Sequence, residues 1–513
     1  MFAASPALAE NWKFGASAGA TETYTSNVNY SIKNLAEGDW VTSITGAMQV
    51  SGEGARLKLY GSIGGTASFY AGQSQNNSFA PSVNLSGTLE AIEKFAYVDA
   101  QASVSQTFLS PFGAQPADLV NATQNRYTQQ TYAVSPYIKG VFGSSKISYQ
   151  LRNDNYWTVA TSFGNSSANV PNTYSNALNG SMSSPVNPWG WSLEYSRFYY
   201  DNGVASGGNV GNLGEVGQGS YTTQQIRLLL PYQIDPQLQI GGRIGYEGNR
   251  FPVQDSTGTI YGFSLQWNPT PRTNVGGFVE HRFFGTSYSV QATHRLPNAA
   301  LSANAARGIN SYPQLALAIP AGAAVPQFVN AAFATRIPDP AERAQAVDQF
   351  LARSGLPPTL ASPVNFYATS LTLQDTANVS LVLIGTRNSL GFSVFYVKSD
   401  AISATGNVLP PALQFGQNNT QTGVGVNYSY RLGSQTNLGA SASYSKTTVN
   451  TSTGPLADTR TNNANASVNL STQFGPKTTG STGVSYSWSD ASGSINAGNI
   501  STLNVFASIN HTF

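Results

Sequence analysis

The chain closes on Leu503-Asn-Val-Phe-Ala-Ser-Ile-Asn-His-Thr-Phe513. Successive side chains of an extended segment point to opposite sides, so Leu503, Val505, Ala507 and Ile509 share one face while Asn504, Ser508, Asn510 and Thr512 share the other. Phe506 is the exception. One such strand is ordinary; its recurrence decides the fold. The same period-2 pattern returns from Trp12 to the end, and no other part of the chain could bury those apolar faces.

Clear runs of this kind cover 56–69, 97–108, 146–157, 189–199, 225–232, 238–246, 260–267, 274–283 and 288–296, then 390–398, 424–432, 438–446 and 482–488. Tight connections carry turn residues, as in Ser51-Gly-Glu-Gly54, Gly143-Ser-Ser145, Pro269-Thr-Pro271, Leu432-Gly-Ser434 and Phe474-Gly-Pro-Lys477. Longer Asn/Ser/Gly/Pro loops fall near 71–81, 108–129, 159–172, 202–220, 401–418 and 449–459. Short turns alternating with long loops predict an all-β fold: a single closed antiparallel transmembrane β-barrel of about 22 strands, with roughly 18 to 24 compatible with the pattern. The faintest strands are those near 82–93, 173–184 and 299–310. Trp12, Trp40, Trp157, Trp189, Trp267 and Trp488 sit at run ends, where interface girdles belong. The competing fold is a soluble all-β repeat protein, which would need a second sheet and more surface charge.

Composition agrees. Charged residues make up only 10% of the chain, Gly numbers 50 and Tyr plus Phe 51, yet hydrophobic content is 40%. No apolar stretch reaches the roughly 18 residues of a membrane helix. A barrel alternates lipid-facing with lumen-facing positions, so about half its strand residues stay small or polar. A net charge of +2 argues against nucleic acid as a partner. The chain has no cysteine, which removes thiolate catalysis, zinc-thiolate sites and Cys-x-x-Cys-His haem attachment, and no cofactor is expected. Residues 1–9 read as a signal-peptide remnant with Ala7-x-Ala9 at the cleavage site, leaving 10–513 as the barrel.

One segment, 311–372, breaks the alternation. Asp339 offers an N-cap, Pro340 the first helical position and Glu342 an acid at the third, followed by Arg343, Ala344, Val347, Phe350 and Leu351 at helical spacing up to Ser354-Gly355. Pro326 opens a second short helix through Phe333. A connection this long is functional or disordered. Asp339, Pro340, Glu342, Arg343 and Phe350 therefore mark a gate loop that caps the mouth, folds inward as a constriction, or is a passive excursion.

Enzyme chemistry finds little footing. Gly15-Ala-Ser17-Ala-Gly19 matches a hydrolase elbow, but it lies inside a period-2 strand and not at a strand–turn–helix corner. His281, His294 and His511 share the parity of the lipid face. Strand alternation instead points Arg56, Lys58, Lys139, Lys146, Arg152, Arg227, Arg243, Arg282 and Arg431 into the lumen, with Asp99, Asp154, Glu194, Glu247 and Glu280. Rings of charge set selectivity in a pore, and this excess of base leans toward anions. Alternatively, opposite charges pair across neighbouring strands and rigidify the wall. Tyr60, Tyr97 and Tyr137 also point inward, where aromatic faces can stack on sugar rings.

Several stretches resemble one family, the outer-membrane β-barrel proteins associated with the PEP-CTERM/exosortase system. They are Glu22-Thr-Tyr-Thr-Ser-Asn27, Val98-Asp-Ala-Gln-Ala-Ser-Val-Ser-Gln106 through Ser110-Pro-Phe-Gly113, Asn125-Arg-Tyr through Val134-Ser-Pro-Tyr137, and Asp339-Pro-Ala-Glu-Arg343 with Gly355-Leu-Pro357. The terminal aromatic resembles the assembly signature of bacterial outer-membrane barrels, with His511 in place of the usual apolar residue, and Ser26 departs from the family's Asp. The resemblance implies a Gram-negative outer membrane and a locus for exopolysaccharide. Its partners would be outer-membrane lipid, a periplasmic polysaccharide export lipoprotein, and an anionic or neutral polysaccharide. Three functions stay open: an exopolysaccharide conduit, a general or anion-leaning diffusion porin, and a scaffold for a separate chain such as a cytochrome conduit. With strands starting at Trp12, the N-terminal plug of a TonB-type receptor is not expected.

Overall fold

The computed structural model describes residues 11–513 apart from 144, 162–171, 202–219, 252–254, 403–417, 451–458 and 494–497; within 318–370 it describes 324–333, 337, 343, 346–347, 351, 360–364 and 366. The expected leader remnant lies outside these residues.

The described residues form 22 strands in one antiparallel sheet. The first six are β1 (Asn11–Thr25), β2 (Asp39–Glu53), β3 (Leu57–Tyr70), β4 (Ser78–Ile92), β5 (Ala96–Phe108) and β6 (Arg126–Phe142). Next come β7 (Ile147–Thr161), β8 (Thr173–Ser183), β9 (Ser192–Asp201), β10 (Ser220–Asp235), β11 (Leu238–Arg250) and β12 (Ser256–Thr270). β13 (Thr273–Arg282), β14 (Gly285–Leu296) and β15 (Ala299–Asn310) precede a long insert, after which β16 (Thr372–Ile384) and β17 (Asn388–Ala401) resume the ladder. β18 (Asn419–Arg431), β19 (Thr436–Val449), β20 (Arg460–Gly475), β21 (Thr478–Ser492) and β22 (Gly498–Thr512) complete it. The three faintest runs are β4, β8 and β15. Trp189 falls outside β9, in the turn before it, where its ring lies 4.4 Å from that of Tyr232.

Closure is direct. β1 pairs with β22 from Ser17 opposite Thr512 to Thr25 opposite Asn504, so no edge is left unpaired. Four register shifts, near Glu90, Gln233, Trp267 and Gln473, all fall at the short-turn end, where a bulge lets a tight connection follow a twisted pair. Pro136 sits in mid-strand in β6, and the rungs of Ser135 and Pro136 toward β7 are missing there because proline has no N–H to donate.

Alternation separates two faces. Outside, Phe14, Ile44, Met48, Ile63, Ile226, Leu230, Val279, Val394 and Val505 are exposed, forming an apolar belt with Trp40 toward the loop end and Trp267 toward the turn end. Inside, hydroxyl pairs bridge strands, as in Ser43–Ser68 at 3.1 Å and Ser441–Ser467 at 2.7 Å. Leu438, Ala440, Ala442 and Tyr444 face outward with the belt, opposite in parity to Ser441, Ser443 and Ser445.

Candidate functional site

The inner wall corrects the expected charge inventory. Arg56 and Lys146 lie in turns, Lys146 with a left-handed φ of 53°, because each falls one residue before its strand begins. Arg431 is the last residue of β18, and its guanidinium donates to the Thr386 carbonyl of the neighbouring turn at 2.6 Å. Lys58 faces inward at the turn end and pairs with Glu53. That leaves Lys58, Lys139, Arg152, Arg227, Arg243, Arg282 and, at the turn-end rim, Arg431 with inward parity, against Asp99, Asp154, Glu194, Glu247 and Glu280.

Most of these charges neutralise one another across strands. Arg152 on β7 meets Asp99 on β5 at 2.6 Å and Asp154 at 2.6 Å, and Thr88 donates to Asp99 at 2.8 Å. Further round the wall Glu280 accepts from Arg227 at 2.8 Å and from Arg243 at 3.1 Å, binding β10, β11 and β13 together. Gly262, directly opposite both Arg243 and Glu280, makes room for this bridge, since a Cβ there would press on Glu280. Arg282 donates twice to one Glu247 oxygen, at 2.7 and 3.0 Å, and the Phe283 amide donates to the other at 2.7 Å. Such an inner wall is braced more than charged.

Tyr97 and Tyr137 stack on each other at 5.1 Å, Lys139 lies over both rings, and Arg152 lies 4.9 Å from Tyr137. Their π-faces are therefore taken, which removes them as open sugar platforms; Tyr60 faces the lumen beside Lys58, with no ring partner among the described residues. Ser17 faces inward while His281, His294 and His511 face outward, so the elbow-like serine has no histidine on its side of the wall.

The lumen is occupied by the chain itself. The connection 109–125 between β5 and β6 turns inward to the seam of β22 and β1. There the Asn121 amide donates to Thr25 at 2.9 Å and to the Asn27 carbonyl at 2.7 Å, and accepts from Asn504 at 3.0 Å. Burial pushes the Asp118 carboxyl up, while the amides of Asn121 and Val120 and the side chains of Arg126 and Asn504 oppose that shift. Val120 joins Val28, Val41 and Tyr70 in an apolar knot at the loop end.

The insert after β15 enters at once. Helix α1 (Tyr312–Leu317) sets the Tyr312 hydroxyl 2.8 Å from that of Tyr127 and against Gln129, at the loop end of β6. Helix α2 (Val325–Phe333), in which Pro326 is the second residue, places Val325, Val329 and Phe333 four residues apart on one side. Val325 and Val329 are buried with Ala300 of β15 and Val382 of β16, and Phe333 packs on the same cluster. Ala300 is the second residue of β15, and the insert departs after the last, Asn310. Ten residues of strand span about 33 Å, so α2 docks at the turn end, far below where the insert leaves the wall.

Of the expected gate residues, Arg343 is helical and donates to Asn330 at 3.1 Å and to the Ile337 carbonyl at 2.9 Å, tying its segment to α2. Ala346, Val347 and Leu351 are also helical, and Val347 and Leu351 join the α2 cluster. Asp339, Pro340, Glu342 and Phe350 lie outside the described residues. The return path climbs β17 and β18. Leu360 fills space over Gly391, Ala361 covers Gly425 and accepts from Ser393 at 2.8 Å, and Val364 exchanges two hydrogen bonds with Gln421. Leu371 ends it at the mouth, buried with Tyr200 and Tyr221. Between 115–119 and 361–366 a cavity of about 400 Å³ remains.

Sequence reading missed the inward turn of 109–125 and the wall patch that receives α2. A signal for the patch exists: Leu381-Val-Leu-Ile384 is apolar on both faces, which a polar lumen does not require.

No family model matches the chain, and no curated protein does. Among solved structures, the siderophore receptor PirA from Acinetobacter baumannii aligns over 97% of this chain and 80% of its own, at 9% identity and a TM-score of 0.44. The ferric citrate transporter FecA in the unliganded form aligns over 98% and 78%, at 10% identity and a TM-score of 0.47. The ferric-catecholate import receptor Fiu from E. coli K12 gives 98% and 82%, 10% and 0.47. The fold assignment rests on the closed ladder of this chain and not on these distant likenesses.

Proposed function

We propose that the chain is an outer-membrane conduit held shut by its own inward-folded segments, which shift when cargo passes. A closed barrel with an apolar outer belt and aromatic margins suits a lipid bilayer, and short turns opposite long loops suit the outer membrane with turns periplasmic. The observation that carries the gate is the seating of α2 on Ala300 and Val382 at the turn end. A barrel of this strand number encloses a lumen wide enough for large solutes unless something fills it. Here the described parts of one insert touch the inner wall at both the loop end and the turn end, with 109–125 at the loop end.

The cargo best suited to this wall is a hydroxylated polymer. Serine, threonine and asparagine line it, and its fixed charges are largely neutralised in pairs, which removes the main support for an anion-leaning porin. Together with the resemblance to exosortase-linked barrels, this favours exopolysaccharide, handed over by a periplasmic export lipoprotein. A strain lacking the gene should retain polymer in the periplasm and lose it from the surface, with complementation restoring export. Unchanged surface polymer in that strain would reject the cargo and leave the gate to be judged by conductance.

A further inference from the structure

The outer face of β17 to β20 carries cations where an apolar belt ends. In register across these strands, Val394, Val424, Tyr444 and Ala464 form one apolar row. Two residues closer to the loops, Lys446 lies between Thr422 and Asn462; two further, Lys398, Thr420, Thr448 and Arg460 form the next row. Adjacent strands lie about 4.8 Å apart, so the three cations fit within roughly 15 Å. Lys398 is already paired with Asp400 at 2.9 Å. Lys446 and Arg460 are exposed and take part in no ion pair among the described residues. Among the described residues Asp490, across from Asn462 and diagonal to Arg460, is the nearest acid in register on that side.

We infer that Lys446 and Arg460, with the hydroxyls of Thr422 and Thr448 between them, bind the phosphates of the phosphorylated glycolipid in the surrounding outer leaflet. Two like charges held at the edge of an apolar row repel each other, and a phosphate relieves that penalty with charge-assisted hydrogen bonds. The row beneath selects the source. Tyr444, Val424 and Val394 face acyl chains, so a headgroup anchored by such chains is held at this height, whereas a free anion gains nothing from them. The site lies outside the barrel and stands whatever crosses the lumen.

The test uses the purified full chain in detergent, monitored by native mass spectrometry. The probes are a bis-phosphorylated acylated glucosamine disaccharide, its dephosphorylated form, and inorganic phosphate as competitor. The bis-phosphorylated lipid should be retained about tenfold more strongly than the dephosphorylated one, and Lys446→Gln with Arg460→Gln should remove that margin. Equal retention of the two lipids by the unaltered chain overturns the site without any variant. Displacement of the lipid by inorganic phosphate at equal concentration overturns the lipid as its source. If the double variant keeps its heat-modifiable migration and still retains the lipid fully, these two residues are not the site.

Discussion

Val329 of α2 and Val382 of β16 are buried in one cluster at the turn end of the barrel, although the insert carrying Val329 leaves the wall at the opposite end. That contact places α2 inside the wall, at the end of the barrel opposite the strand end from which its insert departs. It also explains an apolar patch on an otherwise polar inner wall.

The register of β19 can be tested by charge. Leu438→Arg places a guanidinium against lipid, costing up to about 2–4 kcal/mol near the midplane and less toward the interface, whereas Ser441→Arg enters the lumen. The first should reduce the folded fraction on unheated gels far more than the second. Equal loss would mean that the strand is shifted by one residue.

The Glu280 bridge should be costly to cut and cheap to mimic by nothing smaller. Glu280→Ala leaves Arg227 and Arg243 facing each other in a buried wall, with an expected loss of about 3–5 kcal/mol in urea unfolding. Glu280→Gln keeps the shape and loses the charge, and should fall between. A loss below roughly 1 kcal/mol for the alanine variant would show that water screens the cluster.

Closure at the seam depends on Asn121. Asn121→Ala removes donors to Thr25 and Asn27 and the acceptor for Asn504, leaving buried polar groups unpaired at about 1–3 kcal/mol. The β1–β22 amides should then exchange hydrogen faster than those of β11–β12. Uniform exchange would place the lock elsewhere.

Asp118 adds a pH dependence of known sign. Burial raises its folded carboxyl above the ordinary range, so its contribution to stability is fully present below that range and is lost as pH rises through the folded value. Urea midpoints should therefore fall as pH climbs from the ordinary carboxylate range, and Asp118→Asn should flatten that slope. A slope unchanged in the variant assigns it to another group.

The wall was legible in the sequence because a strand exposed to lipid on one side leaves a period-2 record, as Leu503 to Ile509 and Leu438 to Tyr444 show. Lys146 and Arg56 were misplaced because alternation carries on formally past the point where a turn begins. The partners of Glu280 were illegible, since pairing across β10, β11 and β13 depends on register, which no local pattern encodes. Asn121 reaches Asn504 across most of the chain's length, and nothing in either segment announces the other. The seat of α2 left a trace in the doubly apolar Leu381-Val-Leu-Ile384, readable only once a helix is known to need a partner.

The conductance of single barrels in planar bilayers tests the gate most directly. The full chain should conduct little, and deletion of residues 326–357, or Val329→Asp in α2, should open a large conductance. An aspartate buried against Ala300 and Val382 is disfavoured by several kcal/mol, enough to release the helix. A full chain already conducting like an empty barrel, or a deletion that leaves its conductance unchanged, would contradict a lumen closed by its own insert.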